Sequence, residues 1–204
     1  MSGYIIGLTG QTGSGKSTVS ECFAQCGLAV IDCDKVSREV TVPGSECCKA
    51  LSKYFPSCFD SELTLDRRAL GRIVFSDSEQ LELLNRTVFP FILEQINSEI
   101  EAALNEGCEH IVLDAPTLYE SGADKLCSLI VSCVADRKIR TERIMKRDGI
   151  SAEDAEKRMA SQKSESFFRE RSDIIIENDG GLEGLAAASR FAVNLIKGIR
   201  HGTN

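Results

Sequence analysis

Eight residues near the amino terminus have the composition of a loop that binds phosphate. Residues 10–17 read Gly-Gln-Thr-Gly-Ser-Gly-Lys-Ser and match the pattern Gly-x4-Gly-Lys-Ser/Thr at every fixed position. Glycines let the backbone curl so that successive N–H groups converge on phosphate oxygens, and the following helix adds its positive N-terminal end. The sequence therefore predicts an ATP site that includes six consecutive residues: Gly13, Ser14, Gly15, Lys16, Ser17 and Thr18.

The end of this loop carries the side chains that phosphoryl transfer requires. Lys16 brings a positive charge to the β- and γ-phosphates, and the hydroxyl of Ser17 is a ligand for Mg²⁺. The motif lies between an apolar run and an amphipathic stretch, which is the strand–loop–helix context that the motif demands. This context favours a triphosphate site over a glycine-rich turn without a ligand.

Two carboxylates follow predicted strands, Asp34 after the second and Asp114 at the end of the third. In open parallel sheets, ligands bind beyond the carboxyl ends of the strands. Transfer to an alcohol needs one carboxylate near the incoming hydroxyl and others to hold Mg²⁺ or its waters. Asp34 suits the first role and Asp114 the second. The alternative for both is helix capping, which is common for aspartate after a strand.

Arginines form a third group of candidate residues. Their spacing places three of them on one helix face: Arg140, Arg143 and Arg147. Three more follow in the next polar stretch: Arg158, Arg169 and Arg171. Together they are suited to clamp a triphosphate as a lid closes. Because acidic residues interleave with them, a solvated helix face is an equally good interpretation.

The elements that must position these groups follow a repeating strand–helix pattern. Five apolar runs predict buried strands: residues 4–9, 28–32, 110–114, 129–134 and 173–177. Amphipathic helices are predicted after the first, fourth and fifth, at residues 16–26, 137–147 and 182–199. Apolar strands separated by helices indicate an α/β fold, a parallel five-stranded sheet flanked by helices as in the P-loop kinases.

Two stretches depart from this pattern, one between the second and third strands and one, polar and helical, between the fourth and fifth. Residues 43–106 contain no convincing strand but have helical patterns around Ala50, Ala69 and Leu83 and from residue 91 to 104. We predict one domain over residues 1–204: a core of about 1–42, 107–150 and 171–204, a helical acceptor-binding insertion of about 43–106, and a helical lid of about 151–170. The insertion and the lid are expected to close on ligands and exclude water.

Composition narrows the class of protein further. The chain has 204 residues, 42% of them hydrophobic, and a formal net charge of −7, which argues against a nucleic-acid-binding surface. No apolar run approaches the ~20 residues that span a bilayer, and Met1-Ser2 leads directly into the first strand. We therefore expect a soluble, cytoplasmic protein without nucleic-acid or membrane partners.

Nine cysteines are many for a chain of this size, and they accompany only two histidines, His110 and His201. The odd number and the lack of a Cys-x-x-Cys pair argue against a disulfide framework or a zinc site. We expect reduced thiols that pack as small hydrophobic side chains.

These residues and several further segments resemble the dephospho-coenzyme A kinase family. Residues 8–18 are similar to the loop of that family, and residues 30–34 (Val-Ile-Asp-Cys-Asp) to its Ile-Asp-x-Asp segment. Further similar segments follow in the expected order and spacing: residues 66–70 with 74–75, 115–120, 143–148, Arg158 with Gln162, and Asn178 with Gly180. The resemblance covers nearly the whole chain.

The resemblance implies ATP-dependent phosphorylation of the ribose 3′-hydroxyl of dephospho-CoA, the last step of coenzyme A synthesis. It implies that Asp34 is the general base for that hydroxyl. It also implies that Lys16 and Arg143 stabilise charge on the transferring phosphoryl group.

Further roles are implied on both sides of the reaction. Arg67, Leu118 and Glu120 would help to form the acceptor site, between the core and the helical insertion. Asn178 and Gly180 would border the adenine pocket, in a turn that ends the last strand.

The chain departs from the family pattern at a few positions. Phe89 replaces the usual histidine before Pro90, Thr117 replaces a leucine, and Gln11-Thr12 replaces the common Gly-Ile of the loop.

Two other functions remain open. One is a P-loop kinase for a nucleoside monophosphate or a small alcohol. The other is a nucleotide-dependent switch without a catalytic cycle, although the chain lacks the Asn-Lys-x-Asp and Leu-Ser-Gly-Gly-Gln segments of GTPases and transporter ATPases. The oligomeric state is left open.

Overall fold

The computed structural model describes residues 3–199 and is built on a five-stranded sheet. The strands are β1 (Tyr4–Gly10), β2 (Ala29–Asp32), β3 (His110–Asp114), β4 (Leu129–Val134) and β5 (Ile174–Glu177). Their order in the sheet is β2-β3-β1-β4-β5, and the pairs of β1 with β3, β1 with β4, and β4 with β5 are parallel. The predicted parallel sheet is confirmed, with strand bounds within one residue of those expected. Met1, Ser2 and His201, which entered the expectations above, lie outside the described residues.

The central position of β1 explains its composition. Because both neighbours of β1 are strands and both faces are covered, Ile6 and Leu8 are fully buried. The register sets Leu8 beside Asp114 of β3 and Gly10 beside Cys133 of β4. The end of β1 is therefore flanked on each side by the end of another strand.

Ten α-helices connect and cover the strands within the described residues. They are α1 (Lys16–Gln25), α2 (Cys33–Glu39), α3 (Glu46–Ser52), α4 (Arg67–Val74), α5 (Ser78–Asn105), α6 (Leu118–Ser121), α7 (Arg137–Asp148), α8 (Ala152–Ala160), α9 (Glu165–Arg171) and α10 (Leu182–Gly198). Short 3-10 helices occur at Pro56–Cys58 and Ala123–Leu126. Apolar side chains of α1 and α10, among them Phe23 and Val193, pack with those of the strands in one core. A small separate cluster of Ile144, Ala155 and Met159 joins α8 to α7.

The stretch between β2 and β3 is helical, as predicted, but its last two predicted helices are one. Helix α5 is continuous over 28 residues and contains Pro90 in its interior. Proline lacks the N–H that would bond to the carbonyl four residues earlier, so it normally ends or kinks a helix. Here an apolar stripe that includes Val88, Ile92 and Ile96 is buried on both sides of the proline, and its packing keeps the helix continuous.

The chain forms two compact units. One contains the described parts of Met1–Val30 and Ala103–Asn204, and the other is Ile31–Ala102. The first holds the loop after β1 and the helices α6 to α10, and the second holds α2 to α4 and nearly all of α5. Within the described part of the chain, none of the helices combines the length and the apolar character that a bilayer span requires.

Replacing the interior proline tests the description of α5. We expect Pro90→Ala to raise the free energy of unfolding by about 1–3 kcal/mol, because alanine restores the missing backbone hydrogen bond and removes the ring's clash. Thermal unfolding measures the change. The control is Glu101→Ala at an exposed position of the same helix, which should shift stability by about 0.5 kcal/mol or less. A Pro90→Ala protein no more stable than wild type would show that the proline fits the helix without cost.

Candidate active site

The phosphate loop lies between β1 and α1, and its glycines are required by close contacts. Gly15 is the N-cap of α1 and has a left-handed backbone, with φ of 100°. A Cβ on Gly15 would lie 2.2 Å from Asn178 Nδ2, and one on Gly10 would lie 2.3 Å from the carbonyl oxygen of Cys133. Any side chain at either position would therefore displace the residues around the loop.

Two arginines of α7 bind successive carbonyl groups of the loop. Arg140 Nε donates to the carbonyl oxygen of Thr12 at 3.0 Å. Arg143 Nη1 donates to the carbonyl oxygen of Gly13 at 3.3 Å. Arg140 is only 4% exposed, so it is a buried support of the loop rather than a group that meets solvent or ligand.

The next carbonyl of the loop, that of Ser14, is bound by the residue that follows β5. Asn178 Nδ2 donates to it at 2.6 Å, and the thiol of Cys133 donates to it at 3.2 Å. Asn178 is itself fixed, because its backbone N–H donates to the carbonyl of Val134 at 2.9 Å. The side-chain oxygen of Asn178 also accepts a hydrogen bond from Arg143 Nη2 at 3.3 Å.

These contacts determine which way the loop's N–H groups point. In a trans peptide the carbonyl of one residue and the N–H of the next point in opposite directions. Because the carbonyls of Thr12, Gly13 and Ser14 are held on the outside, the N–H groups that follow them point to the other side. The N–H of Ser14 is used within the loop, by the carbonyl of Gln11 at 3.1 Å, so those of Gly13 and Gly15 are left for a ligand. The result is a concave set of donors suited to an anion.

Lys16 and Asp114 form an ion pair at the end of the sheet. The Nζ of Lys16 contacts Oδ1 of Asp114, and both side chains are largely buried, with 16% and 13% of their surface exposed. Asp114 does not cap a helix, since α6 begins at Leu118 after Thr117. The capping alternative therefore does not apply to Asp114. The hydroxyl-bearing Ser17 is exposed in the first turn of α1.

Asp34 lies in the first turn of α2, in the second compact unit, and is exposed. The carboxylate that caps α2 belongs to Asp32, which accepts hydrogen bonds from the N–H groups of Asp34 and Lys35 at 2.9 and 3.0 Å. Helix capping, the alternative role considered for Asp34, is thus performed by Asp32.

Arg67 is the first residue of α4, where the side chain of Asp66 accepts hydrogen bonds from the first-turn N–H groups. Its guanidinium donates to the hydroxyl of Thr41. Both residues line a cavity of about 160 Å³ in the helical unit, together with Asn85 and Phe89. This places Phe89, which stands where the resembling family usually has histidine, in the wall of the same cavity as Arg67.

The acceptor residues expected from the core differ in their accessibility. Leu118 is fully buried and packs so closely on β1 that a Cβ at Gly7 would lie 2.7 Å from Leu118 Cδ2. Its side chain is thus part of the core, and a contact of Leu118 with the acceptor stays a prediction. Glu120, two residues later in α6, is exposed.

Four of the six arginines considered for a triphosphate clamp have partners away from the phosphate loop, and the clamp itself stays a prediction. Arg147 and Arg158 both contact the carboxylate of Asp148. Arg169 pairs with two glutamates, and the guanidinium of Arg171 lies 4.9 Å from the ring centre of Phe167. Of the three arginines on one face of α7, Arg140 and Arg143 contact the loop. Arg147, near the end of the helix, contacts Asp148 instead.

Some residues at the loop were not assigned a role from the sequence. Gln11 is buried and hydrogen bonds to the segment after α8, and Gln162 accepts a hydrogen bond from the N–H of Thr12 at 2.9 Å. Cys133 was expected only to fill space. The signal for Gln11 was present in the sequence, since it stands where the resembling family usually has glycine.

A parallel sheet whose central strand runs into this loop, with helices on its faces, is the architecture of the P-loop nucleotide-binding proteins, to which the P-loop kinases belong. Residues 4–184 match the family described as dephospho-CoA kinase. The chain belongs to this family. The dephospho-CoA kinase of Halalkalibacterium halodurans is 35% identical over 194 residues, 95% of each chain.

Two solved structures agree with this assignment. A dephospho-CoA kinase from Campylobacter jejuni has a TM-score of 0.70 at 25% identity, covering 96% of this chain and 98% of that chain. The protein TT1252 from Thermus thermophilus has a TM-score of 0.82 at 30% identity, covering 98% and 100%. Both likenesses extend over the helical stretch between β2 and β3 as well as the sheet.

The thiol beneath the loop provides a chemical test of this geometry. Burial raises the pKa of Cys133 to about 11. At pH 8 only about one thiol in a thousand would then be ionised, so we expect iodoacetamide to leave Cys133 unmodified in the folded protein. Peptide mass analysis, with urea-unfolded protein as the control, measures the labelling. Labelling of Cys133 in the folded protein as fast as in urea would show that the loop does not cover it.

Proposed function

We propose that the protein transfers the γ-phosphoryl group of ATP to the ribose 3′-hydroxyl of dephospho-CoA, giving coenzyme A and ADP. The observation that carries this proposal is the family match over residues 4–184, which includes the whole phosphate loop, Asp34 and Arg143. The loop geometry supports the donor half of the reaction independently, because its N–H groups form an anion site.

On the donor side, Lys16 and Arg143 are the proposed stabilising charges. Lys16 pairs with Asp114, and a triphosphate in the loop would offer the same ammonium group a second anionic partner. Arg143 donates to the carbonyl of Gly13 at 3.3 Å, to Asn178 Oδ1 at 3.3 Å and to the carbonyl of Gly180 at 3.5 Å. A guanidinium has five N–H donors, so Arg143 can keep its contact with the loop and also donate to a phosphate oxygen.

The loop and its first helical turn, Gly13 to Thr18, would bind the phosphates, and Asn178 with Gly180 would border the nucleotide. Asn178 is 5% exposed, so its side chain acts on the nucleotide through the loop. Its bond to Ser14 supports this interpretation.

We propose Asp114 and Ser17 as the protein ligands of Mg²⁺. Kinases hold Mg²⁺ with one or two protein oxygens, substrate phosphates and water, so a carboxylate and a hydroxyl fit the ion. Among residues 3–199 no group of three or more His, Cys, Asp or Glu side chains is arranged to hold a metal. Held by Asp114 and Ser17, Mg²⁺ would supply positive charge that offsets the negative charge of the triphosphate.

On the acceptor side, Asp34 is the proposed general base. It would accept the proton of the 3′-hydroxyl as the bond from that oxygen to the γ-phosphorus forms. The bond from the γ-phosphorus to the bridging oxygen breaks, and ADP leaves with the electron pair. Arg67, Leu118 and Glu120 are proposed for the acceptor site, with the helical insertion (43–106) and the lid (151–170) excluding water. A cytoplasmic location remains a prediction from the sequence.

The substrate is tested by ADP release with a panel of acceptors. We expect turnover with dephospho-CoA, and none above background with nucleoside monophosphates or small alcohols, since the family match includes the acceptor segments. No turnover with dephospho-CoA would overturn the proposal. Turnover with a nucleoside monophosphate instead would identify the protein as a different P-loop kinase, and ATP binding without any turnover would favour a switch.

The proposed base is tested by Asp34→Asn. Because the amide cannot accept the proton, kcat should fall by about 100-fold or more while ATP binding stays close to wild type. The matched control is Glu39→Gln, which removes another exposed carboxylate from α2 and should leave kcat unchanged. Near-wild-type turnover of Asp34→Asn would show that another group takes the proton.

A further inference from the structure

Gln11 is a buried polar residue at the second position of the loop, only 6% exposed. Both ends of its amide are used. Its Oε1 accepts a hydrogen bond from Arg140 Nη1 at 2.5 Å, and its Nε2 donates to the carbonyl of Lys163 at 3.0 Å. Gln11 therefore bridges a core helix, α7, and the connection between α8 and α9 (residues 161–164).

The same connection is bound to the neighbouring loop residue. The N–H of Thr12 donates to Gln162 Oε1 at 2.9 Å. A cavity of about 330 Å³ borders Gln11, Gln162 and Lys163. Two hydrogen bonds thus join residues 161–164 to the loop beside this cavity, one from Gln11 and one from the N–H of Thr12.

The opposite end of this segment is held by an aromatic cluster. The hydroxyl of Tyr119 in α6 donates to the carbonyl of Arg171 at 2.9 Å, and its ring stands edge-on to Phe167 of α9 with centroids 5.1 Å apart. Helix α9 is thereby fixed to the element that carries Glu120. The segment from 161 to 171 runs between the phosphate loop and α6, with Gln11 at one end and Tyr119 at the other.

We infer that Gln11 is a positioning residue for phosphoryl transfer, which holds residues 161–164 against the phosphate loop through Lys163. Glycine, the common residue at this position in the resembling family, has no side chain for this contact. A connection that is already in place lowers the ordering cost of closing the lid, so transfer gains over hydrolysis by water. The effect on turnover rests on the proposed function, but the effect on the connection does not.

Two substitutions distinguish the two hydrogen bonds of the Gln11 side chain, one with Arg140 and one with Lys163. Gln11→Glu keeps an oxygen that accepts from Arg140 but replaces the donor to the Lys163 carbonyl by a second oxygen, so it removes only the hydrogen bond to the connection. Gln11→Gly removes both hydrogen bonds. Hydrogen exchange of the ligand-free protein then reports on residues 161–167, where the N–H groups of Gln162 and Phe167 bond to Met159 and Ser164.

For Gln11→Glu we expect exchange in residues 161–167 to rise by about threefold or more, with residues 10–18 unchanged. For Gln11→Gly we expect exchange to rise in both segments. Unchanged exchange in residues 161–167 of Gln11→Glu would overturn the inference. An equal rise throughout residues 3–30 and 103–199 would also overturn it, because it would indicate general destabilisation.

Kinetics distinguish positioning from a purely structural role. For Gln11→Glu, the KM for ATP should stay within about twofold while kcat for transfer falls by about three- to tenfold, whereas Gln11→Gly should also raise the KM for ATP. Faster exchange without any fall in kcat would overturn the inference. A wild-type protein inactive on dephospho-CoA would instead refute the proposed function, while the exchange comparison, which needs no substrate, would still decide the role of Gln11.

Discussion

The site depends on one arrangement: three consecutive carbonyl groups of the phosphate loop are held outside it by side chains. Arg140 binds that of Thr12, Arg143 that of Gly13, and Asn178 that of Ser14. A glycine-rich loop has no preferred shape of its own, so external donors must select one. Because trans peptides oppose their carbonyl and N–H groups, fixing the carbonyls also fixes the concave donor surface. The loop is thus preorganised for an anion before a nucleotide binds.

The strand order explains why these donors are available. β1 lies at the centre of the sheet, so the chain leaving β4 and β5 emerges at the same edge as the loop. Helix α7 follows β4 and supplies both arginines, and Asn178 directly follows β5. On the other side of β1, β3 ends at Asp114 and brings it to Lys16. The side chains that donate to the loop thus come from the β4–β5 side of β1, and the candidate metal ligand, Asp114, comes from the β3 side.

Much of this was predictable from the sequence, because strong local patterns coincide with the fold. The apolar runs at β3 and β4 were predicted to the residue, since strands buried on both faces are apolar over nearly their whole length. Pro90 was misleading, because tertiary packing overrode its local preference. Burial of Arg140 and Leu118 was not predictable, since periodicity identifies a helix face but not which neighbour covers it. The role of Gln11 depends on a residue 152 positions away, which no local pattern reveals.

The most direct measurement of this account is the affinity for ATP of Asn178→Ala, determined by calorimetry. Losing the donor to the Ser14 carbonyl should let the loop relax and raise the Kd for ATP by about tenfold, or about 1.4 kcal/mol. The control, Glu177→Gln, changes the preceding exposed residue and should bind ATP like wild type. If a folded Asn178→Ala protein bound ATP with wild-type affinity, external support of the carbonyls would not be what shapes the loop.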